Sequence, residues 1–129
     1  MRENTRANVA YIAARLVLGD EASAVFDYSR GELLEIDGIV NAHCIETHER
    51  NGACCVHGRG ENGTFCLFYS DERRPIDLAI DGREFEGFDH ATTCHFAGEV
   101  SGHSVRFFDY GDGAHFSYSV KTETSVAAC

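Results

Sequence analysis

The chain reads as a mainly β domain: an antiparallel β-sandwich or barrel of about nine short, hairpin-connected strands, preceded by one N-terminal amphipathic helix. Three observations predict this. Apolar residues recur at three- and four-residue spacings only ahead of Gly19. Beyond Ala22 the period falls to two, the repeat of a half-buried strand. Turn signals rich in Asn-Gly and Asp-Gly then follow at short intervals, the chemistry of tight hairpins whose central residues need positive φ. With 129 residues, 43% of them hydrophobic, the chain can bury one core and is read as a single domain over residues 1–129.

The helix is placed at about residues 4–18. Asn4 or Thr5 can cap it, and Val9, Ile12, Ala13, Leu16 and Val17 form one apolar stripe, with Arg6, Asn8 and Arg15 on the remaining surface. Gly19-Asp20 ends it. Such a stripe must be buried, so the helix is expected to cover an open face or end of the sheet structure.

The hairpins are placed at about 22–122. Ala24, Phe26 and Tyr28 share one strand face; Phe65, Leu67 and Tyr69 share another. Ile76, Leu78 and Ile80 alternate with Asp77, Ala79 and Asp81, and Phe116, Tyr118 and Val120 with Ser117, Ser119 and Lys121. Cys94, Phe96 and Val100 form one more row. Turns are expected at Ser29-Arg30-Gly31, Asp37-Gly38, Arg50-Asn51-Gly52, Glu61-Asn62-Gly63, Asp71 to Pro75, Asp81-Gly82, Val100-Ser101-Gly102 and Gly111-Asp112-Gly113. An all-parallel α/β fold is excluded, because its crossovers need helical stretches that are missing after Gly19.

A weak repeat runs through these strands. Phe88-Asp89-His90 and Phe108-Asp109-Tyr110 lie twenty residues apart, and Phe68-Tyr69-Ser70 lies twenty before the first. Phe26-Asp27-Tyr28 repeats the pattern off register. Twenty residues suits one hairpin with its connection. The alternative is ordinary strand-end chemistry, the Asp accepting from the amides of its own turn.

Eleven basic against twenty-one acidic residues give a formal charge of −10, which argues against nucleic-acid and anionic-membrane partners. No apolar run approaches the roughly 20 residues of a spanning helix, and Arg15 interrupts the first apolar stretch, so no secretory leader is read and a cytoplasmic address is expected. The six cysteines, at 44, 54, 55, 66, 94 and 129, are then expected as free thiols.

The densest group of reactive side chains spans residues 43–66. Cys44, His48, Cys55 and His57 are the candidate ligands for a zinc ion assembled across adjacent strands, although no Cys-x2-Cys pair is present. The competing reading is buried structural cysteine with histidine on the outer face. Thiolate catalysis in the same region needs a base within reach and a third group to orient it. Asp109 and Asp112 are candidate turn or cation-binding carboxylates, without the twelve-residue loop of an EF-hand. Phosphate-loop, dinucleotide-binding, zincin and nucleophile-elbow motifs are missing from the sequence.

Consecutive Phe107 and Phe108 point to opposite faces of a strand, so both faces need cover, and a homo-oligomer, most simply a homodimer, is expected to supply it. The functional expectation is a non-enzymatic binding or protein-interaction domain without a cofactor. The alternative is a small metal- or thiol-dependent enzyme built on residues 43–66.

Overall fold

The computed structural model describes residues 1–19, 21–52, 54–70 and 72–122. It consists of one helix, α1 (Glu3–Leu18), and ten strands: β1 (Ala22–Asp27), β2 (Glu32–Val40), β3 (Cys44–Glu49), β4 (Cys55–Glu61), β5 (Thr64–Tyr69), β6 (Ile76–Asp81), β7 (Glu84–Asp89), β8 (Cys94–Ser101), β9 (Ser104–Asp109) and β10 (Ala114–Thr122). Each strand pairs antiparallel with its neighbours in sequence, and β1 also pairs with β10, closing an up-and-down barrel. Closure leaves no sheet edge, which removes the usual route to strand-to-strand aggregation.

The strand count differs from the nine expected, for local reasons. Asp37-Gly38 does not reverse the chain; it lies inside β2, where Gly38 pairs with Thr47. A Cβ on Gly38 would stand 2.0 Å from the Glu46 carbonyl oxygen, so glycine is there for a close strand approach. Two reversals outside the expected turns carry no glycine. At residues 41–43 the Asn41 side-chain oxygen accepts from the backbone N–H groups of His43 and Cys44, both at 2.9 Å. At residues 90–93 Asp89 plays the same part toward the Ala91 N–H, at 3.0 Å.

The helix does not cover an end of the barrel. It occupies the lumen. All ten residues from Thr5 to Ala14 are buried, and α1 touches strands from both sides of the wall, including β1, β2, β6, β9 and β10. Ala7, Ala10, Ala13 and Ala14 are wholly buried, and their small side chains let the wall approach the helix on faces where larger residues would not fit. Ten strands enclose more room than the eight-strand barrels whose own side chains fill the interior. The inward residues Ile36, Ile45, Leu67, Leu78, Phe96, Phe107 and Tyr118 complete the core around α1.

Burial on every side forces the polar helix residues to find partners inside. Arg6, 2% exposed, donates to Asp109 at 3.1 Å and to the Tyr118 hydroxyl at 3.0 Å, and its guanidinium lies 3.4 Å from the centre of the Phe116 ring. Asn8 donates to the Asn4 carbonyl at 2.8 Å. Tyr11 donates from its hydroxyl to backbone carbonyls, among them that of Ile36 at 3.2 Å. The helix starts one residue before the expected caps, with Arg2 at the N-cap and no side-chain capping bond. Gly19, in the left-handed region at φ 71, ends it as expected by donating to the Arg15 carbonyl.

The barrel is five hairpins of one plan. The odd-numbered strands end at Asp27, Glu49, Tyr69, Asp89 and Asp109, so the spacing seen in the sequence marks one rim of the barrel. Three of these residues repeat a turn in detail: Asp27, Asp89 and Asp109 accept from the N–H two residues on, at 3.0, 3.0 and 2.9 Å. The same rim surrounds the start of α1, where the helix dipole is positive and carboxylates are favoured. The opposite rim carries two-residue reversals, such as Asn62-Gly63 with both φ values positive.

Candidate functional site

Since the helix fills the lumen, the interior rim is a structural centre and not a cavity. Asp109 is fully buried between Arg6 and the Met1 ammonium, each 3.1 Å away. Burial alone would raise its pKa; the Met1 ammonium, the Gly111 N–H and Arg6 outweigh this and hold it below the usual carboxylate value. Asp112 lies 3.4 Å from the same guanidinium. The two candidate carboxylates therefore face a protein cation and a turn. Asp27 is likewise lowered: the opposing push of burial is overcome by Ser29 and Arg30, the latter at 2.7 Å. Beside Arg2 and Thr5, under Tyr69 and Asp89, only a crevice of about 10 Å³ remains.

The cysteine–histidine region lies on the outer wall. His48 stands opposite Cys55 and Glu46 opposite His57, while Cys44 is opposite Arg59. Four residues of strand separate Cys44 from His48, roughly 13 Å, whereas ligands of one zinc ion must converge within about 2.3 Å of it. Among the described residues no group of three or more His, Cys, Asp or Glu side chains is placed to hold a metal ion. His48 and Cys55 share no hydrogen bond with each other among the described residues. Cys54, on the opposite strand face, is buried, and burial pushes its thiol up to about 12, far from a thiolate nucleophile. The five described cysteines are free thiols; Cys129 lies outside the described residues.

A large concavity lies elsewhere, on the outer face of β4 to β8. It is a groove of about 1190 Å³, above the size range common for small-ligand clefts. Two rows of outward residues build it. One runs across the strands as Arg59, Cys66, Asp77, Phe88 and His95; the other as Thr64, Ala79, Glu86 and Ala97. The floor is low because Ala79 and Ala97 flank Glu86. His43 and Arg59 stand toward β4, and Tyr110, 60% exposed, joins Phe88 and His95 toward β8.

Two glycines inside the strands, Gly60 and Gly87, line the concavity, and Gly98 lies beside it. Gly60 is paired with Phe65, Gly87 with Phe96 and Gly98 with Phe85, so an aromatic ring from the next strand packs under each. A Cβ on Gly87 would lie 2.0 Å from the Asp77 carbonyl oxygen and 2.4 Å from the Phe96 ring. Side chains are missing at these positions, and the interior rings pack against the exposed backbone from within. Gly87 and Gly98 stand two residues after Phe85 and Phe96 in the sequence, but the cross-strand pairings become readable only once the hairpin register is known.

The outer wall repeats an aromatic–histidine pairing, once at the groove's rim and once beyond it. Phe88 meets His95 with ring centres 4.6 Å apart, and Phe108 meets His115 at the same distance twenty residues on. The His90 ring nitrogen Nε2 donates to the Asp77 carboxylate, 2.7 Å away, which ties that carboxylate to the rim. Glu86 has no ion pair among the described residues. No described helix is long and apolar enough to cross a membrane. Compared with protein-family models, with curated proteins and with solved structures, the chain matches none.

Proposed function

We propose that this protein is a small non-enzymatic binding domain and that the groove on β4 to β8 is its binding site. The supporting observation is the groove itself: lined by Gly60 and Gly87, floored by Ala79 and Ala97 and rimmed by aromatic and charged groups. The helix-filled lumen leaves the outer wall as the surface on which a ligand can be enclosed. Among the described residues, no candidate thiol is hydrogen-bonded to a histidine base, which favours binding over catalysis. A cytoplasmic address fits this reading, supported by free thiols, as does the absence of a nucleic-acid partner, supported by the acidic charge.

The test is a fragment screen by ligand-observed NMR on the native protein and on Ala97→Trp, which fills the groove from a half-buried outer position. The reading expects fragments that compete with one another and lose binding to the variant. Fragments that bind both proteins alike, or none that bind, would overturn it.

The outward row Phe26–Leu33, with Tyr28 and Leu33 58% and 49% exposed, supports the homodimer as a second element of the reading. Light scattering coupled to gel filtration should give twice the chain mass, and the monomer mass for Leu33→Glu. A monomeric native protein would contradict it.

A further inference from the structure

We infer that the groove takes an organic cation, an alkylammonium or guanidinium head group, seated between Glu86 and the aromatic rim of Phe88 and Tyr110. This rests on the proposed binding role and names its ligand class. The aromatic faces supply the negative quadrupole that attracts a cation, and a carboxylate within the same concavity supplies the countercharge. Phe88 is directly opposite Asp77 across β6–β7 and two residues from Glu86 on β7, so one ring has two carboxylates as neighbours on its own face of the sheet. Of the two carboxylates beside Phe88, Asp77 is already engaged by His90 at 2.7 Å and Glu86 has no ion pair among the described residues; Glu61, the third carboxylate of the groove, lies on β4, three strands from Glu86.

The small residues beside Glu86 matter as much as its charge. Ala79 and Ala97 are its cross-strand neighbours on either side, so a bulky head group can reach the carboxylate without displacing a side chain. The competing positive group of the groove, Arg59, stands three strands away from Glu86, roughly 14 Å. That distance keeps Glu86 free and places Arg59 where a hydrogen-bond acceptor farther along the ligand would lie. The chain's net charge of −10 adds a general attraction for cations, so the test must separate this site from the field of the whole molecule.

The experiment is titration of the isotopically labelled protein with choline, read from the backbone amide shifts of Ala79, Glu86 and Ala97. Parallel titrations use dimethylbutanol, the neutral carbon isostere of choline. Saturable choline shifts confined to these strands are expected, with binding roughly tenfold weaker for Glu86→Gln and unchanged for Glu84→Gln, which lies outside the groove. Phe88→Leu should weaken choline more than the isostere. Equal binding of choline and isostere would overturn the cation assignment while leaving the groove as a binding site. Shifts spread over the acidic surface, with Glu86→Gln behaving as the native protein, would also overturn it. The absence of groove shifts with either ligand, together with an empty fragment screen, would remove both readings.

Discussion

Replacing Arg6 by Met should cost about 3–5 kcal/mol of folding stability, the range found when one partner of a buried ion pair is removed. Met keeps the length and the helix propensity of Arg, so the change isolates the charge and its hydrogen bonds. In the native protein the Arg6 and Asp109 side chains are 3% and 0% exposed, and the guanidinium also serves Tyr118. The variant leaves Asp109 buried with the Met1 ammonium and the Gly111 N–H as its remaining partners. That residual support places the ion-pair loss near the lower end, about 3 kcal/mol. The unpaired Tyr118 hydroxyl adds about 1 kcal/mol, and the lost contact with Phe116 adds about 0.5–1 kcal/mol. Urea unfolding followed by circular dichroism should show a lower midpoint at unchanged slope, the sign of lost stability without a changed native surface. Combined with Asp109→Asn, the double-mutant cycle should give a coupling well above about 1 kcal/mol. A loss below about 1 kcal/mol, or a cycle that closes to zero, would refute the reasoning that the helix is held in the lumen by this buried pair.

Other consequences follow from particular residues. Thr93 is held at φ 55, at the place where the matching turns have Gly31 and Gly113, so Thr93→Gly should stabilise by about 1 kcal/mol in thermal unfolding; a loss of stability would contradict the turn equivalence. Gly87→Ala should destabilise by about 1–3 kcal/mol, against the usual gain from replacing a strand glycine, because its Cβ meets backbone and a packed ring. A neutral or stabilising Gly87→Ala would show that the wall is not pinched there. At high pH, burial raises Tyr118 to about 12 against an ordinary 10.0, and Arg6 only partly opposes this. Its folded-state value lies above the unfolded one, so its contribution is whole below pH 10 and is lost as pH rises through the folded value. Phenolate absorbance should therefore lag and then rise with unfolding, and an early, reversible rise from all five tyrosines would refute it. In acid the sign is opposite: Asp27 and Asp109 are lowered in the fold, so their contribution is present above the ordinary carboxylate value of 3.8 and lost as pH falls below it. An acid titration of stability that is flat through this range would contradict the assignment.

The change of period at Ala22, the hairpin chemistry and the single early helix were all legible in the sequence, because each follows from local backbone preference. The turn that was misplaced, Asp37-Gly38, shows the limit of that reasoning. Glycine there answers a neighbouring strand and not a reversal, and a neighbour is not visible in local sequence. The reversals at residues 41–43 and 90–93 escaped notice because they carry no glycine: Asn41 accepts from the turn's own N–H groups, and Thr93 takes the positive φ that Gly31 and Gly113 take in the matching turns. The helix's position was harder still. Arg6 and Asn8 look like a solvent face until Asp109, Tyr118 and Glu49 are brought to them from strands up to 112 residues away. The groove was not legible, since Ala79, Glu86 and Ala97 become neighbours only through strand register. The cysteine and histidine candidates share a face as alternation implies, but four residues of one extended strand separate Cys44 from His48.

Native-state hydrogen exchange of the α1 amides tests most directly the claim that the helix is a permanent core and the ligand site lies outside. The account predicts that amides from Val9 to Ala14 exchange only through global unfolding, with the same free energy and denaturant dependence as those at the centres of β8 and β9. Helix amides that open at markedly lower free energy while the strands stay protected would contradict it, because a departing helix would vacate the lumen and move the site inside the barrel.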